Sequence, residues 1–466
     1  MSQGAAEAAA TITPDDFRLL IGALAHDSMR GRDTPSPELE KTAVHIADEF
    51  ETFGLSAGAA DGFLQMYPLT VLSPGAAEQQ SVVFRGPAGE ITLTADEDFV
   101  AVSQSGVLEA AGSLTVVESK NDLSEARDGI AVIQIDRTTF GRAFGGGLGD
   151  AMRANGVKGV MIAVDGTDTF QQVAGFVGGS SLTLGEPEPG AGPILIVDRA
   201  SLPEDLGSAL ASGDTGEWSA SVRTEAQAAV DHAMNTIGVL EGSDPVLKDE
   251  YVVFSAHMDH VGVGEAVDGD SIYNGADDDA SGTSAVVELA QAFARLDERP
   301  RRTLVFMTVS GEEKGLFGSQ WYTDHPTFPL ENTVANLNID MIGRNWQDTI
   351  VAIGKAESSL GPLVEQVAAS HPDLSMTVID DRWPEENFYF RSDPYNFARK
   401  GVAILFFFNG VHEDYHRPSD EPDKIGYDKI ARITRLIFYL GLEIANADER
   451  PVWDPDAYER VVGSGD

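Results

Sequence analysis

Residues 251–260 read YVVFSAHMDH, and their first six letters decide the fold. A short run of β-branched and aromatic residues, too short for a helix, reads as a strand buried on both faces. Three more runs of this kind follow: 302–310 (RTLVFMTVS), 334–340 (VANLNID) and 402–408 (VAILFFF). A helical stripe of Val286, Leu289, Ala290, Phe293 and Leu296 separates the first two, after a GADDDASG turn. Such alternation predicts an α/β fold with a mostly parallel sheet and helices on both faces. Ligand sites in these folds lie beyond the carboxyl ends of the strands.

Each run ends in residues suited to metals. The first leads into His257 and Asp259, the second into Glu312-Glu313, the third ends at Asp340, and the fourth is followed by Tyr415-His416. Asp277-Asp278-Asp279 occupies the glycine-bounded turn before the helix. Zinc takes imidazole nitrogen and carboxylate oxygen, and a pair of ions needs a carboxylate able to bridge them. Three carboxylates and a hydroxide balance two Zn²⁺, while the two imidazoles stay neutral, so such a site tolerates a partly dry cleft. A further carboxylate outside the ligand set can take a proton from the acidified water.

Working outward, residues 38–53 place Ala43, Ile46, Ala47, Phe50 and Phe53 at helical spacing before Gly54. The stretch from about 70 to 225 contains no histidine and carries short apolar runs (SVVF, GIAVIQI, GVKGVMIAV, GPILIV) that read as strands. Within it, GDAMRANGVKG reads as a helix ending at Gly156. The expected organisation is residues 1–69 as the first part of a main domain, 70–225 as a small β-rich insert, 226–450 as the main domain's remainder and 451–466 as a tail.

Composition sets limits on function. The 466 residues include 32 Lys and Arg against 75 Asp and Glu, a formal charge of −43, which repels nucleic acid and anionic membranes. No cysteine is present, so thiolate nucleophiles and thiolate metal sites are excluded. No apolar run approaches the roughly 20 residues needed to span a bilayer. The opening MSQGAAEAAATITPDD lacks the regions of a signal peptide. A secreted or periplasmic protein whose signal is missing from this chain is the expectation, with the cytoplasm as alternative.

SAHMDH, NGADDDASGT, SGEEKGLFGS, NIDMIGR and FFFNGVHEDYHRPSDEPDKI together resemble the co-catalytic double-zinc aminopeptidase family, whose relatives include glutamate carboxypeptidase, glutaminyl cyclase and the transferrin receptor. SMRGRDTPSPELEKTAVHIADEFETFGL and GFLQMYPL resemble its lead-in, and DGIAVIQIDR with AMRANGVKGVMIAV resembles a protease-associated domain. The resemblance implies two zinc ions per chain, one on His257 and Asp340, the other on Glu313 and His416, with Asp278 between them. It implies a cis bond between Asp278 and Asp279. Asp259 would orient His257, Glu312 would be the general base and Tyr415 the oxyanion donor. The implied activity is exopeptidase action on peptides, first as an aminopeptidase. A carboxypeptidase or dipeptidase is the alternative; it would need a cation for the terminal carboxylate, for which Arg344, Arg382, Arg391 and Arg417 are available. A metal-free protein-binding homologue is a third reading. Phe388, Tyr389, Arg391 and Ser392 are candidate pocket residues, whereas His260, His325 and His412 read as structural. Oligomeric state is not legible.

Overall fold

The structure, a computed structural model, describes residues 3–87, 89–136 and 147–463. The chain divides into two compact units, Met1–Tyr67 with His232–Asp466, and Pro68–Asp231.

In the first unit, the strands Thr303–Val309, Tyr251–His257, Thr333–Asp340 and Ile404–Phe408 lie side by side and parallel. Residues 236–240 pair antiparallel to 304–308 at one side, and Thr349–Ile353 runs antiparallel to 406–408 at the other. Every residue of the strand Thr303–Val309 is buried, because alternate side chains meet different layers. Phe254 and Phe306 stack on each other and meet Phe293 of the helix Ala280–Ala294, which in turn meets Phe438 of the helix Tyr427–Asn446. Val253, Val305 and Met307 join the opposite cluster with Tyr322, Phe397 and Ala398. Two-sided burial is why these strands read as continuous apolar runs.

The helix Ala280–Ala294 stops two residues before Leu296, the last position of the predicted stripe. The helix Pro37–Thr52 buries Ala43, Ile46 and Phe50, and Gly54 follows it with φ +82°. Residues 451–463, set apart as a tail in the sequence reading, carry the helix Pro455–Val461, whose Val461 is buried in the core. Among the described residues no helix is long and apolar enough to cross a membrane.

In the second unit, residues 114–117, 130–135, 159–164 and 194–198 form parallel pairs. Apolar clusters cover this sheet, one including Val132, Met161 and Leu195, the other Ala131, Ile162 and Ile196. The four apolar runs all appear as strands. The helix Leu148–Asn155 ends at Gly156 with φ +68°, a conformation that glycine adopts without a Cβ penalty. Besides the helix Leu148–Asn155, this unit carries the helices Thr167–Val177 and Glu204–Ser212 among its strands, neither of which was read from the sequence.

Candidate metal centre

Because the four central strands are parallel, their carboxyl ends meet at one edge. His257 and Asp340 are the last residues of their strands, and Glu312-Glu313 comes after Val309 with two residues between. His257 Nε2 lies 3.2 Å from Asp278 Oδ1 and 3.7 Å from Asp340 Oδ1. His416 Nε2 lies 3.2 Å from Asp278 Oδ2 and 3.1 Å from Glu313 Oε2. Asp278 thus turns one oxygen to each pair. Ligand atoms sharing one tetrahedral ion at 2.0–2.2 Å stand roughly 3.4 Å apart, close to these spacings. Asp278 Oδ2 and Asp340 Oδ1 are buried and accept no hydrogen bond. Buried acceptors without a donor are costly, and a cation between them satisfies both. The donor set fits a metal pair.

The three adjacent aspartates have distinct contacts. Asp277 Oδ1 accepts the Gly343 amide at 2.5 Å. Asp279 accepts the amides of His257, Gly282 and Met341, so it caps the helix and ties three segments together. Asp278 alone faces both histidines. Its amide and that of Asp277 donate to Asp420 Oδ2, and the Asp278–Asp279 peptide is cis.

Behind the ligands, His257 Nδ1 is 3.2 Å from the Asp259 carbonyl, and its ring is 3.7 Å from the Asp259 carboxylate. A donor bond there leaves Nε2 as the free lone pair. Asp259 also accepts from Thr34 Oγ1 (2.9 Å) and from the Glu312 amide (3.3 Å), so its carboxylate stands between the Glu312 backbone and the His257 ring. Burial pushes the Glu312 carboxyl well above the usual carboxylate range; His257 opposes this, and Asp393, Glu313 and Asp340 add to it. Cations among these carboxylates would draw the value back down. Tyr415 stacks on the His416 ring with centroids 3.9 Å apart, and burial beside Asp278, Glu313 and Glu312 raises its phenol so that it keeps its proton.

All eight residues of the predicted site come together at this edge. His260, read as structural, also reaches it: Nδ1 lies 2.9 Å from Glu313 Oε1 and 3.6 Å from Asp278 Oδ2. His412 Nε2 is 3.3 Å from Asp277 Oδ2, whereas His325 stacks on Trp321. Phe388, Arg391 and Ser392 line the cleft above the ligands, but Tyr389 faces a different hollow with Glu357 and Asp380.

Two residues escaped the sequence reading. Asp393 is 1% exposed and accepts Ser319 Oγ at 2.6 Å; burial, with Asp259 and Asp340 reinforcing it against His257 and Ser319, lifts its carboxyl to about 7. An Asp-Pro pair reads as a turn, so only its position after Arg391-Ser392 could have flagged it. Arg32 is 1% exposed, and its guanidinium donates to the carbonyls of Leu24, Met258, Asn274 and Gly275. It clamps the segments on either side of His257 and the aspartate turn. Its partners are backbone atoms, which no residue pattern reveals.

The pattern of peptidase family M28 matches residues 235–441, which carry every ligand named above. Those residues, 235–441, are an M28 segment. A probable zinc metalloprotease of Pyricularia oryzae is 38% identical over 259 residues, covering 46% of this chain and 50% of that protein. A probable glutamate carboxypeptidase of Arthroderma benhamiae is 36% identical over 111 residues, covering 23% and 14%. The chain spans no more than half the length of either curated relative. Among solved structures, an aminopeptidase from Aneurinibacillus sp. strain AM-1 superposes with a TM-score of 0.59 at 20% identity, covering 96% of this chain and 97% of that one. At that identity the likeness concerns the fold.

Proposed function

We propose that this M28 chain is a zinc-dependent exopeptidase with two ions per chain that removes N-terminal residues from peptides. The observation that carries the reading is Asp278 set between two histidine–carboxylate pairs at 3.1–3.7 Å. His257 with Asp340, and Glu313 with His416, would hold the ions on either side of Asp278, and the ions would supply an acidified water and polarise the peptide carbonyl. Glu312, adjacent to the ligand Glu313 and outside the ligand set, accepts the water's proton and passes it to the departing amine. The Tyr415 hydroxyl donates to the oxygen on which charge develops. Asp259 holds the His257 ring in its productive tautomer. Met341, Phe406, Phe408 and Val411 give the cleft an apolar wall, suited to an apolar side chain on the substrate.

A probable glutamate carboxypeptidase stands among the similar proteins, so a carboxypeptidase or dipeptidase of the same fold is the second reading. The unit 68–231 would serve as a protease-associated-type module, and the acidic excess suits a secreted or periplasmic working place. The deciding experiment is Glu312→Gln. Zinc content stays at two per chain, while hydrolysis of leucine p-nitroanilide falls by roughly 10²–10⁴-fold, the range of a lost general base. Turnover within a factor of three of the parent would sink the assigned mechanism.

A further inference from the structure

Arg391 is the one lysine or arginine among the residues that line the cleft, whose wall also includes Asp278, Glu312 and Asp340. The chain as a whole has more than twice as many acids as bases, so an arginine here that pairs with none of them is informative. Its Nη1 donates to the Glu386 carbonyl at 3.2 Å, and its guanidinium stands 5.7 Å from the Phe388 ring centroid. Among the described residues no carboxylate pairs with it. The other arginines considered from the sequence are placed differently. Arg344 is bound to Asp414 at 2.8 Å, Arg382 lies over the Trp346 ring, and Arg417 does not line the cleft.

A guanidinium held by one carbonyl and one aromatic face keeps most of its fork of donors for a partner. That fork matches a planar carboxylate in two parallel hydrogen bonds. Arg391 lines the same cleft as His257, Asp278, Asp340 and His416, so a substrate held at those residues shares that space with the cation.

We infer that Arg391 anchors a carboxylate on the leaving residue of the substrate, which makes dipeptides with a free α-carboxylate the favoured substrate class. The inference rests on the exopeptidase reading and refines it: a free amine at one end and a free carboxylate at the other are both recognised. An acidic side chain on the leaving residue offers the same chemistry, and the assay separates the two sources.

The test compares kcat/KM for Leu-Phe, Leu-Phe-amide and Leu-Glu-amide in the parent enzyme and in Arg391→Gln. The parent is expected to favour Leu-Phe over its amide by about tenfold, and the variant to bring that ratio close to one, whatever change the two substrates share. Arg391→Lys, which keeps the charge without the fork, should recover part of the ratio. Should Leu-Glu-amide match Leu-Phe in the parent and lose that standing in Arg391→Gln, the anchor holds and the carboxylate is the side chain's. An identical Leu-Phe to Leu-Phe-amide ratio in parent and variant overturns the anchor. Leucine p-nitroanilide has no carboxylate and reports the parent reading separately: its release with an unchanged ratio denies Arg391 alone, whereas no release from any substrate denies the activity itself.

Discussion

Both units contain a parallel sheet whose strands end in acidic residues, yet among the described residues only one edge assembles a candidate site. In the unit 68–231, Asp136 and Asp165 follow their strands and are exposed, while Asp198 is buried but spends an oxygen on the Ala200 amide. In the larger unit, Asp340 ends its strand in the interior with an oxygen that accepts nothing, two histidines face the same centre, and Asp278 stands between them. Strand-end position is shared, so it does not by itself make a site. What differs is burial without internal compensation: acids kept from water and from donors hold a cation, whereas acids in water merely cap turns.

The contrast is broken most directly by substituting one acid in each unit. Asp278→Asn should lose bound zinc, measured by elemental analysis, and lower kcat/KM on the order of 10³-fold, equivalent to about 4 kcal/mol of transition-state stabilisation. Asp165→Asn should shift stability by no more than about 0.5 kcal/mol and leave zinc content unchanged. Equal effects in the two variants would erase the distinction.

A smaller effect is expected behind the ligands. Arg32→Lys retains the charge but not the reach to four carbonyls from separate segments. Zinc affinity, followed by competition with a chelator, should weaken by roughly 10–100-fold, the usual cost of losing a group that supports metal ligands. Unaltered affinity in a well-folded Arg32→Lys would assign the clamp to folding alone.

A separate effect, on stability and not on zinc, concerns a buried acid that serves no metal. Glu288, 2% exposed on the helix Ala280–Ala294, is lifted to about 8 by burial, then by Asp16 and Glu49, with Arg295 opposing. Its folded value lies above the unfolded one, so the folded state is favoured by its proton below about 4.5, and that contribution is lost as pH rises through 8. Glu288→Gln removes the titration. The stability difference between parent and variant, from urea melts, should be flat below pH 4.5 and shift in the variant's favour by up to about 4 kcal/mol by pH 9. A pH-independent difference would show that Glu288 ionises without penalty.

The sequence by itself determined the strands, because two-sided burial demands unbroken apolar runs, and it determined the ligand types, because zinc selects imidazole and carboxylate in a chain without cysteine. The shared direction that brings His257, Glu313 and Asp340 to one edge was implied by alternation with helices, whereas the strand order was not. Tertiary structure alone decided the rest. The residues by themselves left three aspartates open; the resemblance pointed to Asp278, and the path of one turn is what sets it facing both histidines. Arg32 works through backbone carbonyls that carry no letter in the sequence. Asp393 and His260 became part of the centre by packing across segments far apart in the chain. Of four arginines equally suited on paper, only Arg391 reaches the cleft, since a side chain's partners are set by what folds beside it and not by its neighbours along the chain.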